Sequence, residues 1–589
     1  MGRAIRPTLP EDRFDVGPVL SRDSALVSIS DARLDNRDEL RRKLGYSDAE
    51  AARLSDAMLM MRCFERWSDA ALAAFVGDFA LALWNRTTEK LLIARDFAGQ
   101  RPLFFSDDGH TLAVASLAKG LHAHPKIPQA ANEERMLQML LGLPQEGSAT
   151  FFETIERVEP GQVLTFSRAP RSSGFFWSPP REEIHFPSPG DYADALNEKL
   201  DDAVRARLRG TRKKVATHLS AGLDSSAVTA AAALATDVPI VAMTSYPPRN
   251  TSPVPEGRFG DESALAHATA KSYPNIEHRL VPIDANLDLA NLGRQLTLFE
   301  RPDLNLPNLV WASHINSEAQ AGGIQIVLTG QMGNATISHD GLELLGQLIS
   351  QGRLLQLAAE LAAAHSAGVG VRTLLRWTAG SLISGGPLRA LGMPGASHRS
   401  ILRNSVINPG LLARAAELFS ASSDWSGGAL NSLADQRHGA MKKVDFGTYN
   451  KGVLLGWDID LRDPTADRRV VDFCFRVPSD QYFRKGMPRA LIRTALKGRV
   501  PDEVRLNRQR GLQSPHWFEL LSSDRSECGK ILKRLTTCEA ASGLVDTAKM
   551  KRMLDDWPAS AAGGGLTHYR TGFLRGLVAG EFMRIFSGT

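Results

Sequence analysis

Cysteine is scarce in this chain. Cys63, Cys474, Cys528 and Cys538 are all there are in 589 residues, and no two form a CxxC pair. That excludes a clustered zinc site and a disulfide framework, and it fits a reducing compartment. A long apolar run is missing too. The most apolar stretch, Ala71 to Trp84, is interrupted by Asp78 and is too short to span a bilayer. The first residues, MGRAIRPTLPEDRFD, have no apolar core, so no secretory signal is expected. These absences lead us to expect a cytoplasmic protein with no membrane partner. Excess charge is also lacking. A net +5 over 589 residues is weak, aromatics make up 7%, and no basic stripe is interleaved with them, so nucleic acid is not an expected partner. Short basic clusters, Arg209 to Lys214 and Arg505 to Arg510, suit the phosphates of a small ligand as well as a polymer.

What is present is ordinary globular material, 43% hydrophobic and 23% charged, enough for about two to four domains. Short apolar segments at Ala25–Ile29, Lys90–Ile93 and Thr111–Ala115 read as strands, the last after the polar turn DDGH. Few helices and many strands point to a sandwich-like antiparallel layer. The Pro-, Ser- and Gly-rich segment Ala169–Gly190 reads as a linker. It divides an N-terminal domain, 1–180, from a C-terminal one, 191–589. Beyond it, strands at Lys214–Leu219, Pro239–Thr244, His278–Ile283 and Ile324–Leu328 alternate with helices at Tyr192–Arg209, Ser225–Ala235 and Ser263–Ser272. That alternation is the grammar of a doubly wound parallel sheet. From about Leu342 onward the pattern is mostly helical.

One loop carries chemistry. In KVATHLSAGLDSSAVTAAAA, a strand ends at Leu219, Ser220 to Gly222 turn, and Ser225 and Ser226 open a helix. Backbone N–H groups in such a turn, with the helix N-terminus, favour a bound anion, and Gly222 is expected at positive φ. Asp224 is unwelcome beside phosphate alone and makes sense as a ligand of a bridging Mg²⁺. A plain helix N-cap explains Asp224 and Ser225 but not the whole string. The loop has no Gly-Lys-Ser/Thr, so it is no Walker loop.

SAGLDSS resembles the SGGLDSS loop of the N-type ATP pyrophosphatases, especially asparagine synthetases. SDARLDNRDELRRKLG at Ser30–Gly45, FVGDFALALWNRTTEKLLIARDFAGQRPLFF at Phe75–Phe105 and ETIERVEPGQVLTF at Glu153–Phe166 resemble segments of that family's first domain. LTGQMGN at Leu328–Asn334 and DLRDPTADRRVVDFCFRVP at Asp460–Pro478 resemble segments of its second. The resemblance implies an Ntn-hydrolase-like antiparallel sandwich followed by an ATP pyrophosphatase domain with a large helical portion. It implies ATP and Mg²⁺ as cofactors. ATP and pyrophosphate would contact Leu219, Ser220, Ala221, Gly222, Leu223, Asp224, Ser225, Ser226, Met243, Ser245, Thr329 and Gly330, and the metal Asp224 and Asn334.

The departures from the family narrow the expected reaction. Glutamine-dependent members carry a nucleophilic cysteine after the initiator Met, where this chain has Gly2, so glutamine is not the expected nitrogen donor. The first domain then reads as a remnant, its RLDN and ARD motifs serving the fold. Asn334 stands where asparagine synthetases have an aspartate, and TGQMGNATIS resembles the lasso-peptide cyclase version of that loop. The family's transition-state lysine falls at Arg510, with Arg508 competing for the place; Arg keeps the charge and changes its geometry. Asp460 is a candidate for orienting the amine, with an internal ion pair to Arg462 as the plainer role. The expectation is an AMP-forming ligase closing a macrolactam in a precursor peptide, with a leader peptidase and a leader-recognition protein as partners. A β-lactam-type or ammonia-dependent amide synthetase is the alternative, and a non-catalytic scaffold the remote one.

Overall fold

The computed structural model describes all residues except 3–5, 212–213, 248–253, 255–256, 284–285, 304, 386–401, 425–432, 444, 560–567 and 588–589. In the first domain β1 (Val19–Leu20), β2 (Leu26–Leu34), β3 (Gly77–Asn85), β4 (Lys90–Arg95), β5 (Phe104–Asp107), β6 (Leu112–Ala115), β7 (Glu156–Arg157), β8 (Gln162–Phe166) and β9 (Ser172–Phe175) form two antiparallel sheets. Their orders are β1-β2-β3-β4-β8-β9 and β6-β5-β7.

Strand β3 shows why these layers stack. Its side chains alternate: Phe79, Leu81 and Leu83 pack toward the helix Asp56–Trp67, while Ala80 and Ala82 join Phe105 and Val158 from the second sheet. Both faces are therefore apolar, and the strand reads as a continuous buried run rather than an alternating one. The expected segment Ala71–Trp84 is in fact two elements, a short helix Ala71–Ala74 and β3. They divide at Gly77, whose φ is +149°; a Cβ there would lie 2.0 Å from the Arg33 carbonyl oxygen. The expected linker also holds structure. Ser172–Phe175 pairs with β8 as an edge strand, and Trp177 is buried in the core of the second domain.

In that domain β10 (Val215–His218), β11 (Ile240–Tyr246), β12 (Arg258–Phe259), β13 (Ile276–Pro282), β14 (Ile326–Leu328) and β15 (Asp460–Arg462) follow. A parallel sheet runs in the order β13-β11-β10-β14-β15. The sequence reading missed β15, three residues contributed from far downstream. After it come β16 (Phe483–Arg484), β17 (Met487–Pro488) and β18 (Arg510–Gly511), the last pairing in parallel with β12. Helix Leu223–Ala235 buries a run of alanines against one face of the sheet, and the sixteen-residue helix Leu306–Ala321 covers the other. Helix Pro189–Arg207 starts where Ser188 accepts the Asp191 N–H, with Pro in the first turn, where its missing N–H costs nothing. The expected helical part, Leu342–Lys443, includes the helices Leu354–Ser366 and Val371–Gly385; 386–401 and 425–432 lie outside the described residues.

Buried ion pairs join the two domains. Arg207, at the end of its helix, is 2.8 Å from Asp35 of the RLDN motif and 2.7 Å from Asp467. Arg33 donates to Asp78 at 2.7 Å and to Asp35 at 3.0 Å. Arg95 of the ARD motif and Arg157 both reach Asp445, at 2.7 and 3.0 Å. Burial pushes the Asp35 carboxyl up, and the guanidiniums of Arg207 and Arg33 reverse this and hold it well below the usual range. Removing one partner would leave buried charge uncompensated, at a cost of about 3–5 kcal/mol. Arg207→Ala should therefore lower the midpoint of thermal unfolding sharply, whereas Arg168→Ala, which removes an exposed pair with Glu89, should shift it little. Equal shifts in the two variants, read by differential scanning calorimetry, would refute a clamping role for the network.

Candidate active site

The carboxyl ends of β10 and β14 lie side by side at the centre of the sheet, where chain connections leave to opposite faces. In open α/β sheets such a switch point is where ligands sit. The loop Ser220–Ser226 emerges there from β10. Ser225 ties it together: its hydroxyl accepts the Ser220 N–H at 3.1 Å, lies 2.8 Å from the Ser220 hydroxyl, and donates to the Gly222 carbonyl at 3.1 Å. Gly222 is not at positive φ, contrary to expectation. It caps the helix in extended conformation, φ −76° and ψ 147°. Glycine matters here because a Cβ would sit 3.1 Å from the Ser220 hydroxyl, over the open face of the loop. Ala221 fits the turn with its methyl buried.

Asp224 faces the second Gly-rich loop. A Cβ at Gly333 would fall 2.2 Å from its Cγ, and one at Gly330 would lie 3.1 Å from its Cβ. Glycine at both places lets the two loops close on the carboxylate. Its Oδ1 is buried with no hydrogen-bond partner among the described residues. Burial raises its pKa to about 6, against the pull of Ser338 and Arg489. A desolvated carboxylate with an unused oxygen fits a divalent cation.

Asn334, the second expected metal ligand, is exposed and stands beside Arg489. Its side-chain oxygen accepts a hydrogen bond from Arg489 at 3.0 Å. Sequence reading missed Arg489 because no local pattern marks it; it stands in left-handed conformation before helix Ala490–Ala495. Asp224 is the first charged group acting on its guanidinium, and Arg510 the next. Arg508 and Arg510, the two candidates for the lysine position, make different contacts. Arg508 donates to the Ala367 carbonyl at 2.7 Å, whereas Arg510 lies on β18, whose partner β12 leads into the helix beside the loop. A further group missed by the sequence reading, His339, Asp340 and Glu343, has ligand atoms within 4.8 Å of one another. The His339 Nε2 lies 3.0 Å from both Glu343 carboxylate oxygens, and Asp340 accepts the Leu342 N–H at 3.2 Å.

The other face of the switch point is neutral. His218 and Thr329 follow Thr217 and Leu328, which pair across β10 and β14, and the His218 ring lies 5.9 Å from that of Trp311 on helix Leu306–Ala321. The His218 Nε2, Thr329 Oγ1, Ser245 Oγ and Trp311 Nε1 are buried without hydrogen-bond partners among the described residues. Burial lowers the His218 pKa to about 4, so the ring is uncharged near neutrality. Met243 forms part of the apolar floor, fully buried on the same face.

Asp460 is not at this edge. It begins β15 level with Ile326, at the opposite end of the strands. Both its oxygens are occupied, by Arg101 at 2.9 Å and Arg462 at 2.7 Å. Burial raises its pKa, and Arg101 and Arg462 bring it well below the usual range. The ion pair is its role here, and the parallel register excludes it from orienting an amine at the loop. A cavity of about 420 Å³ lined by Asp107, His124, Lys126 and Glu156 lies in the first domain and contains none of these residues.

An antiparallel sandwich followed by a parallel sheet with a phosphate-type loop defines a class of two-domain protein, and comparison places it. The family described as glutamine amidotransferase domain matches residues 14–177, and that described as asparagine synthase matches 195–571. The chain belongs to the asparagine synthase family. It is 30% identical to asparagine synthetase [glutamine-hydrolyzing] 3 of Bacillus subtilis (strain 168), over 35% of this chain and 33% of that protein. Asparagine synthetase [glutamine-hydrolyzing] 2 of the same organism is 25% identical over 53% and 43%, and asparagine synthetase 1 is 23% identical over 85% and 78%. The chain thus spans less than half the length of the first two relatives in the matched region.

The pKa of Asp224 sets a pH test. Below about 6 the carboxyl is protonated and loses its charge for a cation; above it the charge is present. Mg²⁺-dependent binding of a non-hydrolysable ATP analogue, followed by calorimetry, should weaken as pH falls through 6. Asp224→Asn should remove that dependence, and Gly333→Ala should weaken binding at least tenfold at every pH.

Proposed function

We propose that this chain is an AMP-forming ligase that closes a macrolactam in a precursor peptide. The observation that carries the reading is the Asp224 carboxylate, held with a free buried oxygen between the Ser220–Ser226 loop and two glycines, with Arg489 acting on it. Mg²⁺ would be held by Asp224 and would supply charge neutralisation to the phosphates. Asn334 would be a second ligand through the lone pair of its side-chain oxygen that Arg489 leaves unused.

ATP lies with its pyrophosphate on the loop and its base over the neutral face at His218, Thr329 and Ser245. Uncharged donors and acceptors on an apolar floor suit a heterocycle and penalise a buried carboxylate or ammonium group. A side-chain carboxylate of the peptide attacks the α-phosphate; the bond to the β-phosphate oxygen breaks and pyrophosphate leaves. Arg510 and Arg489 stabilise the charge that develops on it. The peptide's N-terminal amine then attacks the acyl carbon, loses its proton, and AMP departs. Much of the rate comes from holding amine and ester together. Cys63, the only cysteine before residue 180, is buried on its helix with its thiol pushed up to about 12. It is no nucleophile for releasing ammonia from glutamine. In the helical hairpin Leu354–Ser366 and Val371–Gly385, Glu360 accepts the Gly486 N–H three residues before Arg489, the Ala367 carbonyl accepts from Arg508, and Leu355 and Leu375 are exposed. This face suits the peptide.

A second reading is an amide synthetase acting on a small acid: the relatives are named asparagine synthetase [glutamine-hydrolyzing], and Gly2 in place of the thiol leaves free ammonia as the nitrogen donor. One experiment separates the two. The full chain, with leader peptidase and leader-recognition protein, is incubated with a core peptide bearing an internal Asp or Glu, ATP and Mg²⁺. A product one water lighter, with one AMP released per ring, is the expected result. AMP formed only with aspartate and ammonia would transfer the assignment to the second reading. Arg510→Ala should slow AMP formation by about 100-fold, the usual scale for losing one charge-stabilising donor.

A further inference from the structure

Glu262 is an unexpected group beside a pyrophosphate loop. It is the last residue before helix Ser263–Lys271, and its side chain turns back to the loop. Its Oε2 accepts the Ala221 N–H at 3.0 Å. Its Oε1 faces Gly511, where a Cβ would lie 1.8 Å away. Burial raises its pKa, against the pull of the Ala221 N–H and the Ser220 hydroxyl. A carboxylate in this position repels a phosphate and gains nothing by facing one, so its use is geometric.

The surroundings show what it holds. Three residues before it, β12 pairs with β18, bringing Arg258 level with Arg510 and Phe259 level with Gly511. The Arg510 N–H donates to the Gly257 carbonyl at 3.3 Å and the Leu512 N–H to that of Phe259 at 2.8 Å. Two strands of two residues are too short to hold position alone. Gly260 adds a close contact, since a Cβ there would be 3.0 Å from Pro515. Glu262 is therefore the corner at which the loop, β12 and β18 meet.

We propose that Glu262 is a positioning residue: by gripping the Ala221 N–H and abutting Gly511, it sets the distance between Arg510 and the anion loop. The inference rests on the reading of that loop as an ATP site and names a residue outside the phosphate contacts. A side chain at Gly511 would push the Glu262 carboxylate aside. Arg510, the adjacent residue on the same strand, is then delivered to the loop only while Glu262 is in place.

Binding of the Mg²⁺ complex of α,β-methylene-ATP to the full-length protein, measured by calorimetry, tests this. Arg510→Ala, Glu262→Ala and Gly511→Ala should each weaken binding at least tenfold. The Glu262→Ala/Arg510→Ala double variant should be no weaker than either single one, because Arg510 is already misplaced. Glu262→Gln keeps a carbonyl acceptor for the Ala221 N–H and should restore most of the affinity. If Arg510→Ala has its full effect in the Glu262→Ala background, Arg510 is positioned independently and the inference is wrong. Wild-type protein that fails to bind the analogue at all would instead overturn the ATP-site reading. Should Glu262→Ala not fold, Gly511→Ala combined with Arg510→Ala gives the same test from the other side of the contact.

Discussion

The grip of Arg207 on Asp35 and Asp467 is the constraint on which the rest of the structure depends. It joins the last turn of the first long helix of the second domain to the RLDN strand of the first domain and to the segment after β15. Guanidinium and carboxylate groups buried this deeply are tolerated only as a closed set, because each one left alone costs several kcal/mol. Arg33, Asp78 and Arg101 from the first domain and Asp460 and Arg462 from the second complete the set. The first domain is thus held as a fixed wall against the amino-terminal end of the parallel sheet. The chemistry is left to the opposite, carboxyl-terminal end.

That division explains how motif residues can serve two purposes. Asp460 and Arg462 sit on the outermost strand of the parallel sheet and look, in a motif string, like candidates for the reaction. Register decides otherwise: Asp460 pairs with Ile326, two residues before the strand reaches Leu328 and the Thr329–Gly330 turn. The residues at the working edge are instead drawn together by close backbone approach. Gly330 and Gly333 admit Asp224, and Gly511 admits Glu262. Each glycine removes a side chain so that a carboxylate can be placed beside backbone.

Much of this was legible beforehand where periodicity and local turn chemistry act. The β10–loop–helix unit, the alternation after residue 190 and the antiparallel first domain all follow from short-range patterns. Strand β9 was not legible, since Ser-Ser-Gly-Phe has the composition of a loop and becomes a strand only because β8 offers a free edge. Nor was β15, whose three residues gain strand identity from β14. The positive φ expected of Gly222 was a reasonable inference from residue type, but Ser225 closes the turn in extended geometry and makes it unnecessary.

By itself, the sequence determined that a strand ends in SAGLDSS and that a helix starts there, because β-branched residues, small turn residues and an alanine run act locally. It also determined that no thiol cluster and no membrane-length apolar run is available. Only the tertiary structure decided that Arg489 stands beside Asp224, that Asn334 is engaged by Arg489, and that Asp460 belongs to the domain interface. The reason is physical. Each of those outcomes depends on a contact between segments separated by many residues, and the energy of a buried charge is set by its partners, not by its neighbours in the chain.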